Sequence, residues 1–66
     1  MNVQVNGEDR ELAEGITVSG LLDSLQVVPE RVVVEVNLTI LKRAQHSGMV
    51  LKEGDRVEIV HFVGGG

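Results

Sequence analysis

Thr17-Val18-Ser19-Gly20-Leu21-Leu22-Asp23-Ser24-Leu25 is the stretch of this 66-residue chain whose apolar residues keep a helical period. Val18, Leu21, Leu22 and Leu25 stand at i, i+3, i+4 and i+7, one stripe of a short helix. Ser19, Asp23 and Ser24 take the other side. Thr17 is placed as the N-cap, because its side-chain oxygen can accept from an amide of the first turn. Pro29 ends any continuation. A helix this short does not persist alone in water, so its stripe must dock on something.

The flanking sequence supplies a sheet. On the N-terminal side, Met1 to Val5 alternates polar and apolar residues, a half-buried strand with Val3 and Val5 inward. Asn6-Gly7 is a two-residue hairpin signal, since both residues tolerate positive φ. A return strand runs from about Glu8 to Leu12, and Ala13-Glu14-Gly15 closes it. On the C-terminal side, Arg31 to Val36 is dense in β-branched residues, with Val32, Val34 and Val36 on one face, and reads as a central strand. Asn37-Leu38 turns the chain into a short strand near Thr39 to Leu41. Lys42 to Met49 has no clear period and reads as a loop with a helical turn. Lys52-Glu53-Gly54-Asp55 is a tight turn. Arg56 to Val63 is the final strand, with Val57 and Ile59 on one side and Val60 and Phe62 nearer the other. One helix packed on one face of a small mixed sheet buries every apolar face. This is an α+β chain with the β-grasp, or ubiquitin-like, architecture: one domain over residues 1–63 and a flexible glycine tail over 64–66.

Composition narrows the chemistry. With no cysteine, disulfides, thiolate catalysis and iron–sulfur clusters are excluded. His46 and His61 have no ligand-like spacing to carboxylates, so structural or exposed roles are expected and no metal. Ten acidic against 6 basic residues give a formal charge of −4, the wrong sign for a nucleic-acid surface or an anionic membrane. Acidity instead favours solubility and steering toward basic protein partners. No apolar run approaches the roughly 20 residues of a membrane span, and the N-terminus lacks the layout of a signal peptide. The cytoplasm is the expected location. No nucleophile–base pair appears, so the chain is not expected to be an enzyme.

The closing Gly64-Gly65-Gly66 is compatible with simple fraying. A final strand followed by a side-chain-free extension with nothing after it also suits presentation of a terminal carboxylate. Three extended residues reach roughly 10 Å. Lacking Cβ atoms, they can thread a narrow channel. A carboxylate can attack the α-phosphorus of ATP, and the acyl-adenylate then has a good leaving group for a sulfur nucleophile to displace.

The run Val50-Leu51-Lys52-Glu53-Gly54-Asp55-Arg56-Val57-Glu58-Ile59-Val60, leading through His61-Phe62-Val63 to the glycines, resembles the ThiS sulfur carriers of thiamine biosynthesis. So do Asn6-Gly7-Glu8, the helix Thr17 to Leu25 and Val34-Glu35-Val36-Asn37. The resemblance covers the whole chain. It implies that Gly66 bears an adenylate and then a thiocarboxylate, with Gly64 and Gly65 as the segment threading into a partner. It implies a ThiF-type adenylyltransferase, a cysteine desulfurase or sulfurtransferase system as sulfur donor, and thiazole synthase (ThiG) as acceptor. ATP is used by the activating partner, and no cofactor is bound by this chain. Three positions depart from the family: Leu38 where Gly usually follows the Asn, Lys42 where Pro is common and His46 where an aromatic is common. The first implies a different type of turn.

Val60 and Phe62, with Val33, should project from the sheet face that the helix leaves bare and dock a partner. Phe62 sealing an edge of the core is the alternative. Glu53, Asp55 and Glu58 are candidates to meet a basic activating enzyme, and His61, Lys42, Arg43 and Arg31 are read mainly as solvated. Sulfur carriage for another pathway, such as molybdopterin or cysteine synthesis, and a plain ubiquitin-like interaction module remain as alternatives.

Overall fold

A computed structural model describes residues 1–62; Val63 and the tail read at Gly64, Gly65 and Gly66 lie outside the described residues. Five strands and one helix follow in the order β1 (Asn2–Val5), β2 (Glu8–Glu11), α1 (Val18–Ser24), β3 (Val32–Val36), β4 (Thr39–Leu41) and β5 (Arg56–His61). Single turns of 3-10 helix occupy Pro29–Arg31 and Arg43–Gln45. The sheet order is β2-β1-β5-β3-β4. β1 and β5 run parallel, and the other pairs are antiparallel. The arrangement is a β-grasp. β3 is an interior strand, but the central position belongs to β5, which takes β1 on one side and β3 on the other.

The core is built as the alternation requires. Val3 and Val5 of β1, Val32, Val34 and Val36 of β3, and Val57 and Ile59 of β5 are buried against Val18, Leu21 and Leu22 of α1, with Leu51 from the long β4–β5 connection. Burying one such aliphatic side chain is worth about 1.5–3 kcal/mol. Every amide of the first helical turn finds an acceptor. Val18 donates to the Met49 carbonyl (2.9 Å), Ser19 to the His46 carbonyl (3.1 Å) and Gly20 to Thr17 Oγ1 (3.1 Å). The β4–β5 connection is thereby tied to the start of the helix, where donors are otherwise orphaned.

The helix ends before Pro29 acts. Gln26 takes a left-handed φ of 60°. Its amide donates to the Asp23 carbonyl, and the Val27 amide to the Leu22 carbonyl. These two bonds make a Schellman ending, and the chain then has room for the 3-10 turn at Pro29–Arg31 ahead of β3.

Both hairpins turn alike. Asn6 and Gly7 have φ of 50° and 81°, and Asn37 and Leu38 have φ of 50° and 72°. Positive φ at both central residues is the geometry that matches strand twist in two-residue hairpins. The expected change of turn type at Leu38 therefore does not occur. Strand pairing of β3 with β4 holds the geometry, and Leu38 accepts a conformation usually left to glycine.

Candidate functional site

The candidate site is the outer face of β5 and the end of the strand that leads to the glycines. Alternation along β5 sends Val57 and Ile59 to the helix and Glu58 and Val60 to the bare face, a spacing that Phe62, the residue after the strand, continues. Val60 is 54% exposed and Phe62 62%, so Phe62 does not seal the core. Val33, half-buried on β3, is the direct cross-strand partner of Val60. The three residues expected to form a docking patch thus lie on one face. Ile40 of β4 extends it, 64% exposed and paired with Glu35. The Phe62 amide donates to the Arg31 carbonyl at 2.9 Å, which ties the chain to the start of β3 one residue past the end of β5.

Two asparagines fix β5. The Asn6 amide makes the last backbone bond from this side to β5, to the Val57 carbonyl (2.8 Å), and beyond it the Asn6 side chain takes over. Asn6 Oδ1 accepts from the Ile59 amide (2.7 Å), and Asn6 Nδ2 donates to the Ile59 carbonyl (3.2 Å). At the other end, Asn37 Oδ1 accepts from the Arg56 amide (2.9 Å), and Asn37 Nδ2 donates to Asp55 Oδ1 (3.0 Å). Asp55 Oδ2 also accepts from the Lys52 amide (2.8 Å), and Glu53 Oε1 from the Asn2 amide (2.8 Å). Glu53 and Asp55, expected among the acidic residues facing a partner, are therefore engaged in holding the turn that starts β5. Glu58 is not.

The two histidines separate. His61 is exposed at the end of β5. His46 is 3% exposed beneath the helix start, and its Nδ1 has no hydrogen-bond partner. Burial, reinforced by the nearby Arg43 charge, pushes the His46 pKa below its usual 6.5. A neutral imidazole here fills the space beneath the helix start with a planar ring. Arg43 meets Glu30 at 3.9 Å with both side chains exposed, a surface pair of small value. Among the described residues no cluster of three or more His, Cys, Asp or Glu is arranged to hold a metal. Among the described residues no helix is long and apolar enough to cross a membrane.

The family model that matches the chain is that of the ThiS family, over residues 3–66. The chain belongs to the ThiS family. The match runs from β1 through the glycines that follow β5. A crystal structure of thiamine biosynthesis protein ThiS from Geobacter metallireducens is 40% identical, superposes with a TM-score of 0.87 and is covered over its full length. The sulfur carrier protein ThiS of Bacillus subtilis is 38% identical over 65 residues, 97% of this chain and 98% of that one. A thiazole synthase of Magnetococcus marinus is 42% identical over all 66 residues, which span only 20% of that longer protein. Another thiazole synthase, from Paramagnetospirillum magneticum, is likewise matched over 20% of its length.

Asn6 and Asn37 were legible in the sequence as turn residues, but not as clamps on β5, since their partners lie far along the chain. Ile40 carries no such signal, because a three-residue strand gives too short an alternation to assign faces.

Proposed function

We propose that the chain is a sulfur carrier of thiamine biosynthesis, acted on by other enzymes and not itself a catalyst. A ThiF-type adenylyltransferase brings ATP to Gly66. The Gly66 carboxylate attacks the α-phosphorus, pyrophosphate leaves, and the acyl-adenylate forms. A persulfide of a cysteine desulfurase or sulfurtransferase system attacks the acyl carbon and displaces AMP, and a second thiol of that system then attacks the resulting acyl disulfide, leaving Gly66 as the thiocarboxylate and the two donor sulfurs as a disulfide. Thiazole synthase (ThiG) accepts that sulfur. Gly64 and Gly65 form the segment that threads into each partner, the domain of residues 1–63 is the handle, and Val33, Val60 and Phe62 dock it. The cytoplasm, where these partners and ATP meet, is the proposed location.

The observation that carries this reading is the family match over residues 3–66, which takes in the glycine run itself. The exposed apolar face leading toward that run gives the handle a place to hold. Recurrence of the same domain within proteins named thiazole synthase favours that enzyme as acceptor over those of other pathways.

Deleting Gly65 and Gly66 tests the role. Thiazole formation in a mixture of purified adenylyltransferase, sulfur donor and thiazole synthase should vanish, while the thermal unfolding of the domain stays as it was. Unchanged thiazole yield from the shortened chain would rule the carrier role out and leave an interaction module.

A further inference from the structure

Glu35 and Glu58 are direct cross-strand partners on the bare face, between β3 and β5. Residues so placed hold their Cβ atoms about 4.5–5.5 Å apart, and like charges there are destabilising. Neither carboxylate is relieved by a cation. Among the described residues the ion pairs are those of the N-terminus with Glu11 and Glu14 and of Arg43 with Glu30. Arg56, two residues before Glu58 on the same face, pairs with neither. On the side toward the end of β5 the two carboxylates are bordered by apolar side chains. Ile40 flanks Glu35 on β4, and the Val33–Val60 pair forms the next row of the ladder, with Phe62 beyond it. The face therefore carries two carboxylates that make no ion pair among the described residues, bordered by exposed apolar side chains on one flank and by Arg56, one row along, on the other. The same face leads, through Phe62, to the glycines.

We infer that Glu35 and Glu58 together receive one basic side chain, an arginine or lysine, projecting from an apolar patch on the adenylating partner. This deepens the proposed function and rests on it. A surface around an ATP site is electropositive because it must hold a triphosphate, and the docking face nearest the tail is the one that meets that surface. A guanidinium between two carboxylates binds each with a charge-assisted hydrogen bond, and apolar surroundings that exclude water strengthen both. A second copy of this chain is a poor occupant, because two such faces brought together set four carboxylates against one another. The like-charge pair thus costs the free domain stability and supplies charge complementarity once the partner arrives.

The test is steady-state adenylation, read as ATP–pyrophosphate exchange with purified ThiF-type enzyme and the full chain as varied substrate. Glu35→Gln/Glu58→Gln should raise KM about tenfold, the worth of two half-shielded ion pairs, with kcat retained. The wild-type KM should climb with added salt and that of the variant should not. The same variant should unfold at an equal or higher temperature, because the repulsion is gone, so a loss of binding is not a loss of fold. Val60→Ser should raise KM in the same direction without altering the salt dependence. An unchanged KM and salt slope in the double variant, with wild type active, overturns this inference and leaves the carrier role standing. A dimer in sedimentation that dissociates on Val60→Ser would also overturn it, by assigning the face to a second copy. Failure of wild type to exchange at all brings down both.

Discussion

Leu38 holds φ at +72° in the β3–β4 turn while its side chain is 88% exposed. The left-handed conformation costs an L-residue about 1–2 kcal/mol, because Cβ crowds the following carbonyl oxygen. Leu38→Gly removes that cost and, at such exposure, gives up almost no burial. Against it stands the greater freedom of glycine in the unfolded chain, about 0.5–1 kcal/mol. The difference is a net stabilisation of about 0.5–1 kcal/mol. In a domain of this size that corresponds to a rise in Tm of roughly 2–8 °C. Thermal unfolding by circular dichroism measures the shift. Urea titration should move the midpoint upward at constant slope, the sign that folded-state strain and not compactness has changed. Gly7 offers the mirror experiment, since it occupies the same place in the first hairpin at φ +81° with nothing within 4 Å of an added Cβ. Gly7→Leu should lose a comparable amount. A neutral or destabilising Leu38→Gly would refute the reasoning, by showing that the leucine side chain contributes more than its exposure allows or that the turn is not left-handed.

Other consequences follow from the same structure. Asn6→Ala strips both side-chain hydrogen bonds from Ile59 and should destabilise the domain by about 1–3 kcal/mol, with amide exchange at Ile59 accelerated more than at Val34. Asn6→Asp keeps the acceptor and should lose less. His46 carries a pH dependence: its folded pKa lies below its usual 6.5, so the unfolded chain binds the extra proton first. Stability should therefore fall as pH drops through about 6.5 toward the lowered folded value. His46→Phe should flatten that limb of a urea-midpoint-against-pH curve, and a curve that keeps its slope would assign the effect elsewhere.

The local readings succeeded where the decisive interactions are local. The stripe Val18, Leu21, Leu22 and Leu25, the Thr17 cap, the Asn6-Gly7 turn and the alternation of β3 and β5 are set by periodicity and turn chemistry, and the structure bears them out. The middle place of β5 was not legible, because parallel pairing with β1 joins residues from opposite ends of the chain and leaves no local mark. Gln26 ends the helix in a conformation that glycine usually signals, so the sequence marks the stop only at Pro29. Glu35 and Glu58 each read as ordinary solvated strand residues. Only the register, which sets one against the other, reveals the repulsion. Val60, Phe62 and Val33 were placed on the bare face by alternation alone, since side-chain period in a strand needs no tertiary information. Whether His46 is structural or exposed is not legible in the sequence, because its burial depends on how a loop without period folds under the helix.

The central claim is that Gly66 is the reactive group, and the most direct measurement is intact mass of the full chain after incubation with ThiF-type enzyme, ATP and a sulfur donor. The account expects a gain equal to exchange of one oxygen for sulfur, mapped by fragmentation to Gly66 and dependent on ATP. A chain that returns with unchanged mass from an enzyme active on its own carrier, or that gains sulfur anywhere other than Gly66, would contradict it.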